Sequence, residues 1–96
     1  MTVLKVGALQ LALNKSNNLD YVINSIENFC RDNKSLELVI LSELAVGGPG
    51  AKNTDYRLDK YISTFSDLAK KLDIWLIPGT FYEQDGDSVF NTAPVF

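Results

Sequence analysis

The sequence predicts an α/β fold whose strands and helices follow the order β-α-β-α-β-β. Two observations lead to this prediction. Residues 3–11 and 38–41 are rich in apolar side chains without strict alternation, which is typical of strands covered on both faces in a parallel sheet. Two segments with helical periodicity follow these strands. Two helical crossovers imply that the first three strands are parallel, with right-handed connections.

The first strand is predicted from Thr2 to Leu11, with Gln10 as a polar exception near its end. A polar break at 14–18 separates it from a helix predicted over 18–32. Cys30 falls in the apolar stripe of this helix. A small buried hydrophobe is the favoured interpretation, since a nucleophilic cysteine depends on an adjacent base or cationic group that lowers its pKa. The full stripe is Leu19, Val22, Ile23, Ile26, Phe29 and Cys30.

The second strand is predicted over 36–42, and a glycine-rich loop over 44–54 follows it. A second helix is predicted over 56–72, where Lys70 and Lys71 occupy the last turn and suit the helix dipole. Its apolar stripe contains Leu58, Tyr61, Ile62, Phe65, Leu68, Ala69 and Leu72.

The third strand is predicted over 74–81, with Pro78-Gly79 marking a bulge or an exit near its end. The acidic segment 83–87 contains Asp-Gly, a strong hairpin signal. Residues 88–96 are then the returning strand, antiparallel to the third.

Composition excludes several classes of function. The net charge is −3 and basic residues do not cluster, which argues against nucleic-acid binding. The absence of histidine removes Ser-His and Cys-His catalysis from these residues. Cys30 is the single cysteine, which suits a reducing compartment. The apolar stretch 6–13 lacks the features of a signal peptide, and no run reaches membrane-spanning length. We therefore expect a cytoplasmic protein.

The predicted sheet has more apolar surface than the predicted helices can cover. Four strands make a sheet roughly 15–20 Å wide, and two helices of about 10 Å diameter cover one face of it. The first two strands are apolar on both faces. We therefore expect residues 1–96 to be the first part of a larger fold, or to be completed by a second chain.

Glu43 is the candidate catalytic residue. It directly follows the second strand, and ligands of open α/β sheets bind beyond the carboxyl ends of the strands. Position alone leaves a second interpretation open, in which Glu43 is a solvated loop acid or a partner for the next helix.

The loop 47–54, Gly-Gly-Pro-Gly-Ala-Lys-Asn-Thr, partly matches a phosphate-binding loop, because it follows a buried strand and precedes a helix. The full motif requires glycine directly before the lysine, where Ala51 stands, and the spacing is one residue short. A flexible turn is therefore preferred over a nucleotide site.

The ordered set of motifs resembles the amino-terminal third of the nitrilase, or carbon–nitrogen hydrolase, superfamily. Members open with a strand ending in glutamine, carry Pro-Glu after the second strand and glycine after the third, and have a Tyr-Asn-Thr-like strand start. Ser42 replaces the usual proline, Gly47-Gly48 replaces the usual Thr-Gly-Tyr region, and Phe90 stands where tyrosine is frequent. The matching segments are Val6-Gly-Ala-Leu-Gln10, Leu38-Val-Ile-Leu-Ser-Glu43-Leu44, Ile77-Pro-Gly79-Thr80 and Phe90-Asn91-Thr92-Ala93.

This resemblance implies an α-β-β-α sandwich, incomplete in this chain, and hydrolysis of amides, nitriles or carbamoyl compounds without a cofactor or metal. The implied triad is Glu, Lys and Cys, with Glu43 as general base. The lysine and cysteine lie outside this chain. Lys52, Lys60, Lys70, Lys71 and Cys30 occupy the wrong elements to replace them.

We therefore expect these residues alone to be inactive, and the complete protein to be a homo-oligomer acting on a small amide or nitrile, without a nucleic-acid or membrane partner. A non-catalytic subunit or pseudoenzyme, acting as an interaction module, is the alternative. A degenerate phosphate-loop nucleotide binder is the least favoured one. The sequence leaves open the substrate class and the effect of Ser42 and the loop 47–50 on specificity.

Overall fold

A parallel sheet of three strands forms the centre of the molecule. The structure, a computed structural model, describes residues 2–52 and 55–96. Strand β1 spans Val6–Leu9, β2 spans Leu38–Leu41 and β3 spans Trp75–Ile77. β2 lies between the other two and is parallel to both. The predicted parallel pairing of the first three strands is thus confirmed.

The crossovers between the strands are helical, as predicted. Helix α1 spans Leu19–Asp32 and helix α2 spans Ile62–Leu72. The start of the predicted second helix is instead a short 3-10 helix, Leu58–Lys60, and Tyr61 separates it from α2 with φ −119° and ψ −2°. None of the helices in the described residues is long and apolar enough to cross a membrane.

Both helices pack on one face of the sheet. α1 lies close to β1, because a Cβ atom on Gly7 would stand only 2.5 Å from the ring of Phe29. Phe65 and Leu68 bring α2 into the same core. The completely buried apolar side chains of this core are Val22, Ile26, Val39, Ala45, Val46, Phe65 and Leu76.

The opposite face of the sheet is accessible to solvent. Val6 retains 48% of its accessible surface and Trp75 retains 62%, although both belong to strands. Ile40, on the central strand, is half-buried. The expectation that the two helices cover a single face is therefore met.

The prediction of one long third strand over 74–81 is wrong. β3 ends at Ile77, Pro78 and Gly79 interrupt the pairing, and β4 begins at Phe81 and runs to Asp85. β5, Ser88–Thr92, pairs antiparallel with β4, not with β3. The physical reason is that proline lacks a donor for the ladder and Gly79 adopts φ +100°, so the chain leaves the sheet there.

The hairpin turn consists of Gly86 and Asp87, because Asp85 pairs with Ser88. Gly86 has φ +59° at the first central position, as in a type II′ turn. Beyond β5 the chain returns to the main sheet, where Phe96 and Leu76 exchange two backbone hydrogen bonds of 2.8 and 2.9 Å. The predicted antiparallel contact with the third strand is therefore confined to this pair.

The first strand is also shorter than predicted, since β2 offers only four residues for pairing. Gln10 lies just beyond β1 and is exposed, so its amide needs no buried partner.

A matched pair of valine substitutions tests this one-sided core. Val39→Ala removes two methyl groups from a completely buried site and should lower the free energy of unfolding by about 2 kcal/mol. Val6→Ala, on the accessible face, should cost less than about 0.5 kcal/mol. Urea denaturation followed by circular dichroism measures both. Equal losses would contradict the assignment of the two faces.

Candidate active site

Glu43 lies at the carboxyl end of the central strand. β2 ends at Leu41, and Ser42 and Glu43 follow it directly, both exposed. Because β1 and β3 run parallel to β2 on either side, their carboxyl ends open at the same edge of the sheet. The structure thus places Glu43 where the sequence predicted it, at the edge where open α/β sheets bind ligands.

The chain turns sharply after Glu43. Leu44 has φ +50°, a left-handed conformation that costs a residue with a Cβ about 1–2 kcal/mol. Two hydrogen bonds hold this turn: the Leu44 N–H donates to Thr80 Oγ1 at 2.9 Å, and the Gly48 N–H donates to the Leu44 carbonyl at 2.7 Å. The exit from β2 is therefore fixed by a residue that follows β3.

Gly79 allows the backbone that follows β3 to lie close to the backbone that follows β2. Its φ of +100° favours glycine, and a Cβ atom there would stand 2.5 Å from the Ser42 carbonyl oxygen and 3.0 Å from Ala45 Cβ. The glycine after the third strand is thus required by its contact with the backbone beside Glu43. The sequence motif indicated this glycine without showing the contact.

Asn91 reaches Glu43 from the hairpin. Its Nδ2 donates a 2.8 Å hydrogen bond to Glu43 Oε2. Asn91 belongs to β5, so this contact joins residues 48 apart in the sequence. Sequence analysis identified Asn91 only as part of a motif and missed the contact. The asparagine in that motif was the available signal.

Asn18 ties the loop after Glu43 to the β1–α1 connection. Among the polar side chains of residues 2–52 and 55–96, that of Asn18 is the most completely buried, with 1% exposure. Its Oδ1 accepts from the Asn14 N–H at 2.8 Å, and its Nδ2 donates to the Asn14 and Val46 carbonyls at 3.1 and 3.5 Å. Asn18 immediately precedes α1 but makes no side-chain cap, so its amide serves the loops and not the helix.

The loop 47–52 is not arranged to hold a phosphate. The N–H groups of Gly48, Gly50 and Ala51 donate to the backbone carbonyls of Leu44, Lys15 and Gly48, respectively. A phosphate-binding loop needs such groups free and aimed at the anion. The next α-helix begins only at Ile62. Asn53 and Thr54, at the end of the predicted loop, lie outside the described residues.

Three of the four lysines considered as replacements, and the cysteine, lie on helices and not in the loop that follows Glu43. Lys70 and Lys71 occupy the last turn of α2, which leads into the amino end of β3, opposite Glu43. Lys71 Nζ pairs with Glu27 Oε2 at 3.1 Å. Lys60 is exposed on the 3-10 helix. Lys52 is exposed in the loop after Glu43.

Cys30 is half-buried near the end of α1, and burial raises the pKa of its thiol. Since α1 leads into the amino end of β2, Cys30 lies at the opposite edge of the sheet from Glu43. The prediction that it is a packing residue agrees with this environment.

A scan of protein-family models and a search of curated proteins gave no significant match. Solved structures, in contrast, match almost the whole chain. Nit3 from Saccharomyces cerevisiae, a member of branch 10 of the nitrilase superfamily, aligns with 97% of this chain at a TM-score of 0.77 and 23% identity. A carbon–nitrogen hydrolase from Helicobacter pylori G27 also aligns with 97% of it, at a TM-score of 0.72 and 23% identity.

The chain has a nitrilase-type fold. It spans 39% of the length of the Nit3 structure and 35% of that of the Helicobacter pylori enzyme. The resemblance inferred from the ordered motifs is confirmed at the level of the fold.

Two glycine substitutions test the contact between the strand exits. Gly79→Ala places a Cβ atom against the Ser42 carbonyl and should lower the free energy of unfolding by about 2–4 kcal/mol. The loss combines the strain of a positive φ at alanine with the steric overlap between the Cβ atom and the carbonyl oxygen. Gly86→Ala is the matched control, because Gly86 also has positive φ but no atom lies within 4 Å of its Cβ position. It should cost only about 1–2 kcal/mol. Equal losses in urea denaturation would contradict the close approach.

Alkylation tests the environment of Cys30. A raised thiol pKa means less thiolate at neutral pH, so iodoacetamide should modify Cys30 more slowly than free cysteine at pH 7. The control is the double variant Asn28→Cys/Cys30→Ala, whose single cysteine stands at the exposed position 28 of the same helix. Mass spectrometry measures both rates. Faster alkylation at position 30 than at position 28 would show that Cys30 is an activated thiol.

Proposed function

We propose that this chain supplies the general base, Glu43, of a hydrolase that cleaves a non-peptide carbon–nitrogen bond by a Glu-Lys-Cys thiol mechanism. The observation that carries the proposal is the placement of Glu43. Its carboxylate stands at the carboxyl end of the central strand and is held by Asn91, in a fold similar to that of two carbon–nitrogen hydrolase family proteins.

The proposed chemistry divides the work among three residues. For an amide or carbamoyl substrate, the cysteine sulfur bonds to the carbonyl carbon while Glu43 accepts the thiol proton. The lysine ammonium stabilises the oxyanion that forms. When the carbon–nitrogen bond breaks, Glu43 returns the proton to the departing amine, which leaves a thioester. Water then attacks the thioester carbon while Glu43 again accepts a proton. The carbon–sulfur bond breaks, Glu43 returns this proton to the cysteine sulfur, and the acid leaves.

The lysine and the cysteine belong to residues outside this chain. In this proposal residues 1–96 form the amino-terminal portion of a single hydrolase domain, and the complete domain is an α-β-β-α sandwich. The accessible sheet face with Val6 and Trp75 supports this, since apolar strand residues of this kind pack against a second layer in a sandwich. The layer is supplied by the remainder of the fold or by a second chain.

The substrate is proposed to be a small amide, nitrile or carbamoyl compound, and the complete protein a homo-oligomer in the cytoplasm. No cofactor is assigned. The unpaired Cys30 is consistent with a reducing compartment.

A non-catalytic subunit or pseudoenzyme is the second candidate function, and the same accessible face favours it, because such a face suits an interaction module. A lysine soon after residue 96 and a later cysteine in a strand-to-helix turn would favour the enzyme, and their absence would favour the subunit. Nucleotide binding is disfavoured by the occupied N–H groups of the loop 47–52.

Substitution of the general base tests the enzymatic proposal in the complete hydrolase. Glu43→Gln keeps the size of the side chain but cannot accept the thiol proton, so kcat should fall by about 10²–10⁴-fold. Glu37→Gln is the matched control. Glu37 is exposed at the opposite, amino end of β2, and kcat should be unchanged. Steady-state assays of ammonia release from a panel of small amides measure both.

Full activity of Glu43→Gln would overturn the role of Glu43. The 96-residue chain alone should release no ammonia from the same amides. Hydrolysis by that chain, abolished by Glu43→Gln, would overturn the division of the triad between this chain and other residues.

A further inference from the structure

We propose that Asn91 is the positioning residue of the base: it holds Oε2 of Glu43 and so leaves Oε1 for proton transfer. This inference rests on the proposed function of Glu43. In this inference Asn91 touches neither the substrate nor the thiol and acts only through the Glu43 carboxylate.

The chemistry of the contact fixes its direction. An ionised carboxylate only accepts hydrogen bonds, so the asparagine must present its Nδ2 and not its Oδ1 to Glu43. The distance of 2.8 Å lies in the range of charge-assisted hydrogen bonds. With Oε2 engaged, Oε1 is the carboxylate oxygen that this bond leaves available to take a proton.

Glu43 needs this support because it is exposed. Ordering a glutamate side chain costs up to about 2 kcal/mol of rotamer entropy. The bond from Thr80 to the turn fixes the backbone at Leu44, but it leaves the torsions of the Glu43 side chain free. Among the contacts recorded for the described residues, the bond from Asn91 restrains the carboxylate itself.

The β4–β5 hairpin holds Asn91 rigidly. Asn91 pairs with Tyr82 across β4 and β5, and the neighbouring Phe81 is almost completely buried. The centroid of the Phe81 ring lies 5.5 Å from the centroid of the Tyr61 ring and 5.9 Å from that of the Phe65 ring. This aromatic packing anchors the hairpin on the helical layer. Side chains carried by paired strands are held more accurately than those on loops.

The positioning role of Asn91 has a kinetic consequence. Without Asn91, the Glu43 carboxylate would sample several rotamers and meet the thiol in only some of them. A displacement of about 1 Å in a catalytic group can cost about 100-fold in rate. Substrate contacts would be untouched, so the loss should fall on kcat and not on KM.

Nuclear magnetic resonance tests the positioning without any assay of activity. In the 96-residue chain, the three-bond Hα–Hβ couplings of Glu43 should show one dominant χ1 rotamer, and Asn91→Ala should change them to averaged values. The control is Thr92→Ala, which removes a hydrogen bond to Glu83 from the adjacent position of β5 and should leave the Glu43 couplings unchanged. Couplings that are the same in wild type and Asn91→Ala, or that change equally in Thr92→Ala, would overturn the proposal.

Kinetics of the complete hydrolase form the second arm. Asn91→Ala should lower kcat by about 10–100-fold at unchanged KM. Asn91→Asp should lower kcat further, because a carboxylate there repels Glu43, whereas Thr92→Ala should behave as wild type. An unchanged kcat in Asn91→Ala would overturn the positioning role. If Glu43→Gln also kept full kcat, the proposed function would fail, while the coupling measurement would still decide whether Asn91 orders Glu43.

Discussion

The parallel register of β2 between its two neighbours is the constraint on which the rest of the structure depends. Leu41 pairs with Leu9 on one side, and Ile40 pairs with Ile77 on the other. Side chains alternate between faces along a strand, so a slip of one residue would turn the buried Val39 to the accessible face. The same register sets how far the strand extends before Glu43, and with it the position of the carboxylate.

The candidate site is assembled from segments that are far apart in the sequence. Glu43 follows β2, Thr80 follows β3, Asn91 comes from the hairpin and Asn18 precedes α1. Each of these four residues makes a hydrogen bond with a residue at least 28 positions away in the sequence. The hydrophobic core beneath them aligns the strand exits, and the hydrogen bonds then select one arrangement of the turn.

Sequence periodicity was enough to predict both helices, apart from the start of the second, and the parallel pairing of the first three strands. Burial imposes distinct patterns on helices and strands, and the end of the second strand then located Glu43. Periodicity was not enough to divide the segment 74–81, since its apolar residues continue through Pro78-Gly79 while the pairing partner changes. The bond between Asn91 and Glu43 depends on where the hairpin lies relative to the sheet. No local pattern encodes that placement, and only the motif around Asn91 pointed to it.

Because Glu43 and Asn91 are both exposed, a layer packed on that edge of the sheet would cover their hydrogen bond directly. Removing water from a carboxylate is costly, and a hydrogen bond to a charged group offsets about 1.5–3 kcal/mol of such a cost. Asn91 already provides one donor, so a covering layer displaces water from Glu43 at a smaller penalty than it would without Asn91. By thermodynamic reciprocity, such a layer would strengthen the Asn91 bond by the same amount. The packing of any such layer and the ordering of the Glu43 carboxylate would therefore be coupled through the Asn91 amide.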